Sequence, residues 1–90
     1  MRTSPSHQVT VREGQEVRLS CEVLAGQPTP TLGWRKVGGR MPTGELEVES
    51  DDILLERASR HHQGTYQCVA RDDSGLKPVT KDVEVFVECK

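Results

Sequence analysis

The sequence has very few large aromatic side chains, with one Trp, one Tyr and one Phe, or 3% of its 90 residues. It also lacks an excess of charge of either sign, because 12 basic residues stand against 14 acidic ones and the formal net charge is −2. A nucleic-acid partner and electrostatic attachment to an anionic membrane are therefore not expected. No apolar run approaches the roughly 18 residues of a transmembrane helix, so we expect no membrane insertion by this segment.

Asparagine is absent altogether, so the chain contains no sequon for N-linked glycosylation. Ninety residues are enough for one domain with a modest core, and three cysteines are available as a second source of stability. We expect the domain to cover residues 9–88. An N-terminal lead with a first edge strand occupies residues 1–8, and a tail or the start of a linker occupies residues 89–90.

Apolar and polar residues alternate along several short segments, which is the pattern of half-buried strands. The alternating apolar positions are Val9 and Val11; Val17, Leu19, Cys21 and Val23; Tyr66, Cys68 and Ala70; and Val83, Val85 and Val87. Turn residues separate these segments, and no stretch of ten or more residues keeps a helical period. Seven or eight short strands at this spacing predict an all-β sandwich of two antiparallel sheets.

Four residues within this pattern have a specific spacing. Trp34 follows Cys21 by thirteen residues, and Tyr66 precedes Cys68 by two. Both cysteines belong to the inward faces of their strands, so they can meet across the sandwich. Together with the surrounding residues, this spacing resembles an immunoglobulin superfamily domain of the I-set or C2-like kind. The matching segments are Val11-Arg12-Glu13-Gly14, Val17-Arg18-Leu19-Ser20-Cys21, Trp34, Leu55 and Gly64-Thr65-Tyr66-Gln67-Cys68-Val69-Ala70.

The resemblance implies a Greek-key sandwich with a disulfide between Cys21 and Cys68. It also implies a core signature formed by Trp34, Leu55, Gly64 and Tyr66. The chain between Trp34 and Ile53 has room for one short extra strand, predicted at Leu46–Val48, and this favours the I-set over the variable type.

One position departs from the family pattern. The motif usually reads Asp-x-Gly-x-Tyr-x-Cys, and here His62 stands in place of the aspartate. A salt bridge made by that carboxylate is therefore not expected, while Gly64, Tyr66 and Cys68 are kept.

The cysteines leave two alternatives open. A disulfide between Cys21 and Cys68 indicates an oxidising, extracellular or secretory compartment, whereas two buried thiols would fit an intracellular member of the same set. The third cysteine, Cys89, fits a linker residue, although an intermolecular disulfide or a reactive thiol is also open.

Catalysis is not expected, because nucleophilic catalysis needs a base and an orienting group, the plausible thiols are committed to the core or the tail, and a small sandwich offers little concave volume. We expect no cofactor. A metal site is not expected either, because His61 and His62 are adjacent and match no ligand spacing.

Two exposed sets are candidate binding surfaces. The first would contact a protein partner and consists of Glu45, Glu47, Glu49, Arg71, Asp72 and Asp73, with Val69 on the same outward face. The acidic residues would alternate along the short edge strand. The second would contact a sulfated glycan and consists of Arg57, Arg60, His61 and His62.

The resemblance implies a non-catalytic protein-recognition domain of a larger extracellular adhesion or receptor protein. Its partner would be homophilic or heterophilic, and similar domains would neighbour it in the parent chain. Two alternatives remain: a cytoplasmic structural domain of a sarcomeric or cytoskeletal chain, and a matrix module that binds glycan or a growth factor.

Overall fold

A computed structural model describes residues 2–4, 7–22, 31–41, 44–71 and 78–88. Its strands are β1 (Arg2–Ser4), β2 (Gln8–Arg12), β3 (Val17–Glu22), β4 (Thr31–Lys36), β5 (Asp52–Leu55), β6 (Gly64–Arg71) and β7 (Val79–Glu88), with a 3₁₀ helix at Arg60–His62. Val23, Asp72, Asp73 and Cys89 lie outside the described residues.

The strands form two sheets, of order β1-β3-β5 and β2-β7-β6-β4. The predicted all-β sandwich is confirmed, with one difference in strand direction: β2 pairs with β7 in parallel, whereas the other pairs are antiparallel. The difference arises because β1 pairs in one sheet and β2 in the other. The N-terminal segment therefore provides an edge strand to both sheets.

The alternating residues meet between the sheets as the sequence predicts. Trp34, Tyr66 and Cys68 are fully buried, and Leu55 is 6% exposed. The Cys21 and Cys68 sulfurs are bonded, and the bridge joins β3 of one sheet to β6 of the other. The Trp34 indole Nε1 donates to the carbonyl oxygen of Asp51 at 3.2 Å, so the one polar atom of this ring has an acceptor.

The prediction of an extra strand at Leu46–Val48 is wrong. Val48 makes an isolated bridge to Trp34, with the two backbone hydrogen bonds of that pair, and Leu46 is 65% exposed. The preceding chain is held by its own turn, in which the Gly44 N–H donates to the carbonyl oxygen of Met41 and the Met41 N–H to that of Glu45. Because these hydrogen bonds turn the backbone away from β4, the pairing does not extend beyond Val48.

Candidate recognition surface

The outer face of the four-stranded sheet carries a row of hydrogen-bonded side chains. Arg35, Gln67 and Asp82 are register partners on β4, β6 and β7. The Arg35 Nε donates to Gln67 Oε1 at 2.7 Å, and Gln67 Nε2 donates to Asp82 Oδ1 at 2.9 Å. The glutamine thus links a cation on one strand to a carboxylate two strands away and holds both side chains in place.

A second contact joins two residues that the sequence analysis assigned to the partner-binding set. The Arg71 Nη1 lies 2.8 Å from both carboxylate oxygens of Glu47. Both side chains remain partly exposed, so the ion pair contributes little to stability, within about 1 kcal/mol. Its structural effect is to hold the segment around Glu47 against the end of β6.

Val69 does not face solvent as expected, because it is 1% exposed. Its register partner is Gly33, and a Cβ built at Gly33 would lie 3.3 Å from the Val48 carbonyl oxygen and 3.4 Å from the Glu47 side chain. The absence of a side chain at Gly33 therefore lets the chain at Glu47 and Val48 pass close over the sheet. The Glu47 side chain thus lies close to the outer side of Gly33, beside Val69 in the register.

A concavity of about 410 Å³ lies beside this row, at the turn after β4. Its lining consists of Arg35, Lys36, Val37, Gly38, Gly39, Leu46 and Gln67. Leu46 and Val37 are 65% and 50% exposed, so two apolar side chains face water beside the concavity. Neither residue was predicted from the sequence as part of a binding surface, because Val37 lies in a glycine-rich turn and Leu46 was assigned to the short strand predicted at Leu46–Val48. The sequence signal that could have found this surface is Val37, an apolar residue inside a turn.

Of the other residues predicted to contact a protein partner, those in the described structure form no hydrogen bond or ion pair with each other. Glu45 and Glu49 are exposed on the segment that precedes β5, and Asp72 and Asp73 lie outside the described residues. The structure therefore brings together Glu47 and Arg71 from that set.

The second predicted set divides between solvent and the corner before β6. Arg57, Arg60 and His61 are exposed, whereas His62 is partly buried. The His62 Nδ1 accepts a hydrogen bond from the Ser59 backbone N–H at 3.0 Å. Burial lowers the pKa of His62, and the nearby charges of Lys36 and His61 lower it further. This histidine therefore serves as a neutral acceptor that caps the 3₁₀ helix.

Lys36 closes the same corner from β4. Its Nζ donates to the His61 carbonyl oxygen at 2.8 Å and lies 5.7 Å from the centre of the Tyr66 ring. The Tyr66 hydroxyl donates to the carbonyl oxygen of His62 at 2.7 Å, and burial raises the pKa of Tyr66 to about 12. Gly64 lies between these groups with φ +150°, and a Cβ there would be 2.8 Å from the Lys36 Cε.

Within the residues that the structure describes, no group of three or more His, Cys, Asp or Glu side chains is arranged to hold a metal ion. The same residues include no helix that is long and apolar enough to cross a membrane.

The comparisons with known proteins agree with the fold, with the inter-sheet disulfide and with the hydrogen bond that Tyr66 makes at the corner before β6. A family model described as immunoglobulin domain matches residues 1–72. The chain belongs to the immunoglobulin domain family. Mouse hemicentin-2 is 42% identical to this immunoglobulin domain over 82 residues, which are 89% of the chain and 2% of hemicentin-2.

A second relative and a solved structure extend the comparison. The muscle M-line assembly protein unc-89 of Caenorhabditis elegans is 36% identical over 88 residues, covering 91% of this chain and 1% of unc-89. The crystal structure of Dpr11 IG1 bound to DIP-gamma IG+IG2 superposes with a TM-score of 0.83 at 28% identity, over 92% of this chain and 43% of the matched chain. This domain thus spans a small part of the relatives that it matches.

Proposed function

We propose that this immunoglobulin domain recognises a protein partner through the outer face of its four-stranded sheet. The observation that carries the proposal is the concavity beside Arg35 and Gln67, which has the exposed side chains of Val37 and Leu46 in its lining. Apolar side chains grouped around fixed polar atoms are typical of the centre of a protein interface. The role is recognition and is not catalytic.

The hydrogen-bonded row supports this assignment on energetic grounds. Immobilising a flexible side chain at an interface costs about 0.5–1.5 kcal/mol. Arg35 is already held by Gln67, which is in turn bonded to Asp82. Binding would therefore order fewer side chains here than on a surface of unrestrained arginines and glutamines. Withdrawal of Leu46 and Val37 from water would supply the apolar contribution.

We further propose that the parent protein is an extracellular adhesion or receptor chain with similar neighbouring domains. The disulfide between Cys21 and Cys68 supports an oxidising compartment. The similarity to a chain in the crystal structure of Dpr11 IG1 bound to DIP-gamma IG+IG2 supports a protein as the partner. Neighbouring domains would raise the effective concentration of a weak contact.

The experiment compares two exposed leucines, one beside the four-stranded sheet and one on the three-stranded sheet. Leu46→Arg places a bulky charge beside the concavity, and Leu54→Arg is the matched control, because Leu54 is 42% exposed on the outer face of the three-stranded sheet. Multimerised wild-type domain and both variants are tested for binding to a panel of extracellular immunoglobulin-domain proteins that includes the domain itself.

The proposal predicts at least one binding partner in this panel. Leu46→Arg should abolish that binding, and Leu54→Arg should leave it within twofold of wild type. Absence of binding to every member would contradict the recognition role. Binding lost in Leu54→Arg but kept in Leu46→Arg would assign recognition to the opposite sheet.

A structural role in a muscle or cytoskeletal chain is the second candidate, favoured by the similarity to unc-89. In that case Cys21 and Cys68 would be reduced in the cell. Thiol-trapping before lysis, followed by mass spectrometry of the peptides, distinguishes the candidates: a linked pair supports the extracellular role, and two trapped thiols support the intracellular one.

The third possibility, a matrix module that binds glycan or a growth factor through Arg57, Arg60, His61 and His62, stays a prediction from the sequence. Salt-sensitive retention of the domain on heparin, reduced by Arg60→Glu, would support it.

A further inference from the structure

We propose that this face binds a second copy of the same chain, in a face-to-face pair whose two-fold axis runs parallel to β6 above Thr65. The inference rests on the proposed function and names the partner of that surface. It follows from the distribution of charge and apolar groups across β4, β6 and β7, whose register the structure defines.

Opposite charges occupy opposite sides of the outer face. Arg35 lies on β4 and forms no ion pair with a carboxylate among the residues that the structure describes. The ion pair found on this face joins Arg71 to Glu47. Asp82 and Glu84 lie on β7, on the other side of the central strand β6. Because Glu47 and Arg71 neutralise each other, they add no net charge to either side. Among the outward side chains of β4, β6 and β7, the charge is therefore positive on β4 and negative on β7.

The strand register makes this arrangement self-complementary. Thr65 pairs with Glu84, and its carbonyl oxygen accepts a hydrogen bond from the Val37 N–H at 2.8 Å. Strands β4 and β7 each lie about 4.8 Å from β6. A rotation of 180° about an axis along β6 exchanges the positions of β4 and β7 and keeps each row in place. Asp82 and Glu84 of the second copy would then face Arg35 and Val37 of the first.

A closed two-fold pair repeats each contact, because residue i of one copy meets residue j of the other and j also meets i. The two rows therefore form two identical sets of opposite charges. Like charges are kept apart, since the Arg35 side chains of the two copies lie on opposite sides of the axis.

Phe86 supplies an apolar counterpart to the concavity. It follows Glu84 by two residues on the same outward face of β7 and is 39% exposed. The same rotation places its ring above the turn beyond Val37, where Gly38 and Gly39 line the concavity without side chains. The ring can contact Val37 and Leu46 there. One two-fold rotation therefore brings together both the charge pairs and the apolar contact.

The experiment reverses the charges one at a time and then mixes the variants. Arg35→Glu and Asp82→Arg are prepared separately, because these two residues share a row of the register, with Arg18→Glu, an exposed position on β3 of the opposite sheet, as the matched control. Sedimentation velocity is measured over a range of protein concentrations, at low salt and near 0.15 M salt. Thermal melting of each variant confirms that it is folded.

Wild type and Arg18→Glu are expected to form a dimer whose population rises with concentration and falls with salt. Each single reversal should weaken the dimer at least about tenfold, because both contacts then bring like charges together. An equimolar mixture of Arg35→Glu and Asp82→Arg should dimerise again. In the mixed pair, the two introduced side chains meet each other with opposite charges in one contact, and the native Arg35 and Asp82 meet in the other.

A monomeric wild type at every concentration, or a mixture that fails to recover the dimer, would overturn the inference. Equal weakening by Arg18→Glu would also overturn it. These outcomes are distinct from failure of the proposed function. If wild type is monomeric but binds another member of the panel and Leu46→Arg abolishes that binding, the recognition surface is supported and its partner is a different protein.

Discussion

The imidazole of His62 accepts a hydrogen bond from the backbone N–H of Ser59, with 3.0 Å between the two nitrogens. In return, the Ser59 hydroxyl oxygen accepts from the His61 N–H at 3.3 Å. The histidine thus caps the short 3₁₀ helix from the position where the family pattern has an aspartate. A carboxylate would remain an acceptor at mildly acidic pH, whereas a protonated imidazole has no acceptor atom left.

This hydrogen bond should make the stability of the domain depend on pH. Because the pKa of His62 is lowered in the folded state, the unfolded state binds more protons near that pH, and the free energy of unfolding falls with acidification. The contribution is fully present above the unfolded pKa of about 6.5 and is lost as pH falls through the folded pKa. We expect a loss of about 0.5–1.5 kcal/mol, the contribution of one hydrogen bond, in urea unfolding between pH 7.5 and pH 5.

His62→Asn is the variant that isolates this effect, since the amide oxygen can occupy the place of Nδ1 and does not titrate. The pH dependence of its unfolding should be flatter than that of wild type. His7→Asn serves as the control, because His7 is exposed and is not among the groups that shift the pKa of His62. An unchanged slope in His62→Asn would show that other groups produce the pH dependence.

The role of His62 illustrates what the sequence can and cannot reveal at this corner. The motif Gly64-x-Tyr66-x-Cys68 is local, so the burial of Tyr66 and Cys68 on one face of a strand could be predicted from the sequence. The departure at His62 was also visible. The hydrogen bond of His62 was not visible, because that contact depends on the backbone turn at Ser59.

A side chain at Gly64 should lower the free energy of unfolding. Its φ of +150° is unfavourable for other residues, and a Cβ would lie 2.8 Å from the Lys36 Cε. Gly64→Ala should therefore destabilise the fold by about 1–3 kcal/mol, measured by chemical denaturation. Gly39→Ala is the control, since nothing lies within 4 Å of a Cβ there and φ is not positive. Comparable losses in both variants would contradict the specific role of Gly64.

The double variant Gly64→Ala/Lys36→Ala separates the two causes of this loss. If the contact with Lys36 dominates, shortening the lysine should recover part of the stability relative to Lys36→Ala alone. If backbone conformation dominates, the loss should persist unchanged.

Gly33 has a different function, which is to permit a close approach between segments. A Cβ at this position would be 3.3 Å from the Val48 carbonyl oxygen, so Gly33→Ala should displace the chain at Glu47 and Val48. We expect destabilisation of about 1 kcal/mol, the contribution of one hydrogen bond, and faster hydrogen exchange at the Val48 amide. Glu47→Gln weakens the Arg71 contact without changing volume and should leave Val48 exchange near that of wild type.

The same residues explain why the outer face was harder to predict than the core. Alternation along a strand is a local pattern, so the inward positions of β3, β6 and β7 were evident. The burial of Val69 depends instead on Gly33 in another strand and on the path of Glu47 across it. Leu46 and Val48 were assigned to a strand because alternation alone does not show that the turn at Met41–Glu45 limits their pairing to one bridge.

The disulfide should be the largest single contribution to the stability of this small core. In the chain-entropy treatment, closing the 47-residue separation between Cys21 and Cys68 stabilises the fold by about 4 kcal/mol. We therefore expect Cys21→Ala/Cys68→Ala to lower the free energy of unfolding by about 2–5 kcal/mol, with most of the loss reproduced by reducing wild type. Cys89→Ser controls for the remaining cysteine and should leave the unfolding curve unchanged. A double variant as stable as wild type would show that packing around Trp34 suffices to hold the sheets together, which is the behaviour required of a domain that works with reduced thiols.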